Sequence, residues 1–116
     1  MKLHEVKEIL GAKVLTSGSD LENEVNSACG CDLMSDVLAF VKDKALLLTG
    51  LMNPQVVRTA EMMDITTIVF VRGKVPEKSL IELAEAKDIT LMSTDFPLYA
   101  SCGKLYEKGL TGKGGI

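Results

Sequence analysis

From residue 45 onward, short unbroken apolar runs alternate with stretches whose apolar residues recur every three or four positions, in the same order each time. Residues 45–49 read Ala-Leu-Leu-Leu-Thr, without polar alternation. That is the pattern of a strand in a parallel sheet covered by helices on both faces. Asn53-Pro54 then predicts a helix start, because Asn accepts from an unpaired first-turn N–H and Pro has no intrahelical donor to lose at the first position. Val56, Val57, Ala60 and Met63 form its apolar stripe. Residues 67–71, rich in β-branched and aromatic side chains, predict the next strand, which Gly73 ends. Pro76 opens a second helix with Leu80, Ile81, Leu83 and Ala84 inward and Glu77, Lys78, Glu82, Glu85 and Lys87 toward solvent. Residues 89–93 supply a third strand. Thr94 or Asp95 then caps a last helix over residues 96–108, with Leu98, Tyr99, Cys102, Leu105 and Tyr106 as its apolar side and Gly109 as its stop.

The first forty residues carry a weaker pattern. Leu3, Val6, Ile9 and Leu10 recur at helical spacing up to Gly11, residues 13–15 are a brief extended segment, and residues 16–20 have the composition of a turn. Residues 25–29 alternate weakly as a strand, and Asp32 or Ser35 caps a helix running through Val37, Leu38 and Val41.

This rhythm is βαβ, and it predicts an α/β fold: a small three-layer domain with a mainly parallel sheet flanked by helices, spanning residues 1–110 and followed by a mobile tail at 111–116. Right-handed crossovers bring the strand carboxyl ends to one edge of the sheet, where ligands bind in open parallel sheets. Thr49-Gly50 with Asn53, Arg72-Gly73 and Ser93-Thr94 converge there. Small hydroxyls, glycines and a guanidinium suit a phosphate or carboxylate. The expectation is that Thr49, Arg72 and Ser93 border one hollow. The competing reading makes Thr49, Ser93 and Asp95 helix caps and the glycines turn residues. Asp32, Ser35 and Asp36 cluster before a helix, where carboxylates hold a metal, act as a general base or complement the helix dipole. Asp32 and Ser35 are counted with the candidate ligand-binding residues, and a metal-assisted enzyme using Asp32 and Asp36 is the rival reading.

Composition narrows these options. A chain of 116 residues is the size of one domain. Its net charge of -3 and scattered basic residues exclude the clustered footprint that nucleic acid demands. Charges at Lys2, Glu5, Lys7 and Glu8 break the N-terminal apolar pattern of a signal peptide, and no apolar run is long enough to cross a bilayer, so a soluble cytoplasmic protein is expected. The 3 cysteines, Cys29, Cys31 and Cys102, are an odd number, which favours reduced thiols. Together with His4 they offer zinc-ligand chemistry, but no C-x-x-C pair accompanies them, and free cysteine usually packs as a small hydrophobe. G-x-G-x-x-G and the P-loop are both missing, and Gly112-Lys113-Gly114 has no strand before it. No cofactor is expected. Met34, Met52, Met62, Met63 and Met92 suit either core gaps or a contact surface.

The segments Ser27-Ala28-Cys29-Gly30-Cys31-Asp32-Leu33-Met34-Ser35-Asp36-Val37-Leu38, Leu48-Thr49-Gly50, Val69-Phe70-Val71-Arg72-Gly73 and Leu91-Met92-Ser93-Thr94, in this order, resemble the DRTGG domain family. The resemblance covers nearly all of residues 1–110. Val71-Arg72-Gly73 stands where family members often carry a Thr-Gly-Gly-like turn. The resemblance implies a fold similar to the N-terminal domain of HPr kinase/phosphorylase. It also implies a regulatory or dimer-forming role like that of related domains within phosphotransacetylases and between the CBS modules of some pyrophosphatases. It carries over no catalytic residues. The expected function is therefore a non-enzymatic regulatory domain that forms a homodimer and binds an anionic metabolite or nucleotide at the strand edge. The alternative is an adaptor for a partner enzyme.

Overall fold

The computed structural model describes residues 1–40 and 44–116. Val41, expected to lie on a helix, falls outside the described residues. The apolar runs become strands: β1 (Lys13–Val14), β2 (Ser27–Gly30), β3 (Ala45–Thr49), β4 (Thr67–Phe70) and β5 (Thr90–Ser93). They form one five-stranded sheet in the order β1-β5-β4-β3-β2, with β2 to β5 parallel and β1 antiparallel to β5. The helices are α1 (Leu3–Leu10), α2 (Met34–Phe40), α3 (Pro54–Met62), α4 (Lys78–Ala86) and α5 (Leu98–Glu107), followed by a 3-10 turn at Lys113–Gly115.

Alternation along the buried strands divides the core into two layers, since successive side chains leave a strand on opposite faces. Leu47, Ile68, Phe70 and Leu91 pack with Met34, Val37, Val56, Val57, Ala60, Leu80 and Ala84, beneath α2, α3 and α4. Leu46, Leu48, Val69 and Met92 pack with Leu3, Val6, Leu10 and Leu105, beneath α1 and α5. Every residue of β3, β4 and β5 is buried, as helices on both faces require.

Several boundaries differ from the sequence expectation. β2 starts at Ser27 because Val25 turns into the layer beneath α1, its N–H donating to the Met1 carbonyl. α4 begins at Lys78, two residues past Pro76. α5 begins at Leu98, with Pro97 at the N-cap position and no side-chain cap. Phe96 precedes a proline, which disfavours helical backbone there. Thr94 and Asp95 therefore do not cap α5, and Thr94 Oγ1 instead donates to the Leu10 carbonyl at 2.7 Å. Tyr99 and Tyr106, expected on the apolar side of α5, are 91% and 54% exposed, because the packed stripe runs through Ser101 and Leu105. Neither Asp32 nor Ser35 caps α2: Asp32 bonds elsewhere, and Ser35 lies inside the helix. Thr111 accepts at its carbonyl from Ala28 N–H at 2.9 Å, beside edge strand β2. Among the described residues no helix is long and apolar enough to cross a membrane.

Candidate functional site

The parallel register of β2 on β3 pairs Gly30 with Leu48, so the chain leaving β2 runs past the end of β3. Asp32 thereby reaches Thr49 and Gly50. Its Oδ1 accepts from Thr49 Oγ1 at 2.8 Å and from Gly50 N–H at 2.7 Å. Thr49 Oγ1 in turn accepts from Leu51 N–H at 3.1 Å. The Gly50 N–H bond, opposed by burial and helped by the Thr49 hydroxyl and the charges of Arg72 and Lys74, holds the Asp32 carboxyl below the usual carboxylate range. Asp32 is ionised at neutral pH and exposed to solvent.

The next strand end supplies the cations. After β4 the chain reverses through Arg72 and Gly73, with φ of 59° and 69°, and the turn is pinned by Arg72 N–H to the Phe96 carbonyl and Gly73 N–H to the Thr94 carbonyl. Arg72 pays for a left-handed backbone that glycine adopts freely. The reversal carries its side chain back to β3, where Nη2 lies 2.6 Å from the position a Cβ on Gly50 would take, and Asp32 Oδ2 lies 3.7 Å from the same point. A side chain at position 50 would displace the guanidinium. Lys74 Nζ donates to the Gly50 carbonyl at 3.0 Å, and the Lys74 carbonyl accepts from Ser93 Oγ at 2.8 Å.

Of the candidate residues, Asp32, Thr49, Gly50 and Arg72 are thus brought together, with Gly73 forming the turn that aims Arg72. Ser93 and Thr94 are nearly inaccessible, and both donate their hydroxyl protons to backbone carbonyls. Ser93 lines a separate hollow of ≈ 220 Å³ with Gly11, Lys13, Gly73, Val75 and Asp95. Asn53 lines another of ≈ 260 Å³ with Met52, Pro54 and Pro76. Thr49, Arg72 and Ser93 do not share either of these hollows, and Lys74 links the two strand ends, its Nζ on the Gly50 carbonyl and its own carbonyl on the Ser93 hydroxyl. Asn53 stands at the N-cap of α3 but makes no side-chain cap bond, and its Oδ1 is buried without a partner among the described residues. Ser35 and Asp36 lie in α2, exposed, and no side-chain hydrogen bond joins them to this cluster among the described residues. Lys74 was not anticipated. Its signal was a lysine directly after a strand-end Arg-Gly turn, which in sequence looks like an ordinary solvated charge.

Among the described residues, no group of three or more His, Cys, Asp or Glu side chains could hold a metal ion. Cys29, Cys31 and Cys102 are free thiols of intermediate exposure, and His4 lies 4.0 Å from Glu22 on the surface. Burial, then the neighbouring Cys31 and Cys102, push the Cys29 thiol from an ordinary 9.0 up to about 11. The folded chain therefore keeps a proton that the unfolded chain releases between pH 9 and about 11, so stability falls as pH rises through that window. Melting temperatures recorded across the same window are expected to decline less steeply for Cys29→Ala than for the unaltered protein. Parallel declines would show that Cys29 does not titrate in this way.

Fold and site together define an α/β domain with a mainly parallel sheet, bringing two cations and a carboxylate to the carboxyl end of its central strands. The chain is similar to a solved structure, the CBS and DRTGG domains of the regulatory region of Clostridium perfringens pyrophosphatase, complexed with its activator diadenosine tetraphosphate. The TM-score is 0.75 and the identity 15%, over 97% of this chain and 51% of that one. The likeness is one of fold, and this chain spans about half the length of the solved one. No protein-family model matches the sequence, and no match is found among curated proteins.

Proposed function

We propose that this chain is a non-enzymatic, cytoplasmic regulatory domain that binds an anionic metabolite or nucleotide at the strand carboxyl edge and self-associates as a homodimer. The observation carrying the ligand half is the convergence of Arg72 and Lys74 on the Gly50 backbone, with the Arg72 guanidinium against a residue that has no side chain. Guanidinium and ammonium groups at one strand end complement a phosphate or carboxylate. The shared fold with a regulatory region that binds a nucleotide activator supports the same reading. Gly73 contributes by aiming Arg72, while Ser93 and Thr94 support the site through the backbone of its loops.

A thermal-shift screen of nucleotides and phosphorylated metabolites tests this. A ligand at a hundred times its Kd raises stability by about 2.7 kcal/mol, and Arg72→Ala is expected to abolish the shift. The absence of a shift with every anion, or an equal shift in Arg72→Ala, would remove the site. Self-association rests on the exposed apolar side chains of Tyr99, Tyr106 and Ile116, which a symmetric partner would cover. Sedimentation of a strictly monomeric species at high micromolar concentration would count against it. A second reading, docking on a partner enzyme, is favoured by Met52 and Val75, exposed apolar side chains that line one hollow.

A further inference from the structure

The carboxylate in this site has an unusual position for a plain anion receptor. Asp32 Oδ1 already accepts both the Thr49 hydroxyl and the Gly50 N–H, so the side chain is held in one orientation. Oδ2 receives no hydrogen bond among the described residues, although a carboxylate oxygen has room for two. Neither Arg72 nor Lys74 forms an ion pair with it among the described residues. Arg72 Nη2 and Asp32 Oδ2 both approach the side-chain-free face of Gly50. Lys74 Nζ uses one of its donors on the Gly50 carbonyl and retains others. A fixed acceptor thus stands beside two cationic donors, with the Gly50 backbone between them.

A simple polyanion is poorly matched to that arrangement, because an ionised carboxylate beside the cations repels it. A molecule that carries hydroxyl donors next to its phosphate is matched on both sides. Resting on the anion-binding reading above, we propose that Asp32 is the specificity-determining residue of the site and that the ligand is a phosphate ester of a sugar. Its phosphate faces Arg72 and Lys74, and its hydroxyls donate to Asp32 Oδ2. Bonds from hydroxyls to a charged acceptor are among the stronger ones, and a phosphate ester without sugar hydroxyls, such as butyl phosphate, cannot make them to Asp32. Selectivity, rather than affinity for charge, is what this carboxylate adds.

The test is isothermal titration calorimetry with ribose 5-phosphate, butyl phosphate and inorganic phosphate as probes. The unaltered protein is expected to bind ribose 5-phosphate at least about tenfold more tightly than butyl phosphate, which has a phosphate ester but no hydroxyls. In Asp32→Asn, which keeps an acceptor for Gly50 and Thr49 but loses the charge, that preference is expected to collapse and inorganic phosphate to bind as well as before or better. AMP in parallel separates the two sources of a ribose phosphate, since tighter binding than ribose 5-phosphate marks a nucleotide and equal binding a free sugar phosphate. Equal affinity of the unaltered protein for ribose 5-phosphate and butyl phosphate would overturn the proposal even if Asp32→Asn did not fold, and so would a preference that survives in Asp32→Asn. Either result, with binding still dependent on Arg72, leaves the anion site standing. No binding of any probe, or binding indifferent to Arg72→Ala, would instead sink the anion-binding reading on which this one rests.

Discussion

Phe70→Ala is expected to destabilise the protein by about 3–5 kcal/mol, the range measured when a buried aromatic ring is truncated in a close-packed core. Phe70 is completely buried near the middle of the sheet, in the layer beneath α2, α3 and α4. It pairs with Thr49 on one side and Ser93 on the other, so a cavity there would open directly beneath the strand ends that carry the site. Small domains have only about 5–15 kcal/mol of stability in total. The variant should therefore unfold at a much lower urea concentration with a similar slope, since the surface exposed on unfolding barely changes. An equilibrium urea melt compared with Val75→Ala makes the contrast sharp, because Val75 is 58% exposed and its truncation is expected to change stability by less than about 0.5 kcal/mol. Equal midpoints for the two variants would contradict a core divided by the sheet into two helix-covered layers.

That two-layer core was legible in the chain because its strands lack polar alternation. Leu46-Leu47-Leu48 and Ile68-Val69-Phe70 send successive side chains to opposite faces, and both faces are buried. A strand with one wet face would have alternated. The parallel pairing of β3, β4 and β5 followed from the intervening helices. β1 was harder, because a strand of two residues has too little pattern to show its antiparallel partner. Helix starts were misplaced where a proline lay inside the expected first turn, as Pro97 does, because proline also restricts the residue before it.

The site was legible in part, and the division has a physical cause. Thr49, Gly50 and Arg72 stand at strand ends, so their proximity followed from the parallel sheet alone. The role of Asp32 did not, because its contact with Gly50 spans 18 residues and depends on the register between β2 and β3. Nothing in local spacing encodes that register. Ser93 and Thr94 stand at the strand edge, but a hydroxyl there satisfies a backbone carbonyl as readily as it meets a ligand, and both bond a carbonyl. Lys74 was invisible for the opposite reason: a lysine stem reaches across several residues, and its end point is set by tertiary structure.

Gly30→Ala is expected to cost about 1–3 kcal/mol, the usual penalty for overpacking, and Cys102→Ala in the same chain is expected to recover most of it. The backbone of Gly30 is ordinary strand, so no conformational penalty arises. The cost is steric: a Cβ at position 30 would collide with Cys102 Sγ and press on Leu98 Cδ1 at 3.4 Å, both on α5. A thiol turns about a single side-chain torsion and a helix leaves it few rotamers, so Cys102 has little room to swing away. Where the thiol does not turn aside, α5 or β2 must shift, and a shift of β2 would drag Asp32, two residues on, away from Gly50. The double-mutant cycle reads the coupling between the positions directly. Additive effects would show that β2 and α5 do not meet through this glycine. Coupled effects, accompanied by weaker anion binding in Gly30→Ala alone, would show that the α5 face helps set the position of Asp32.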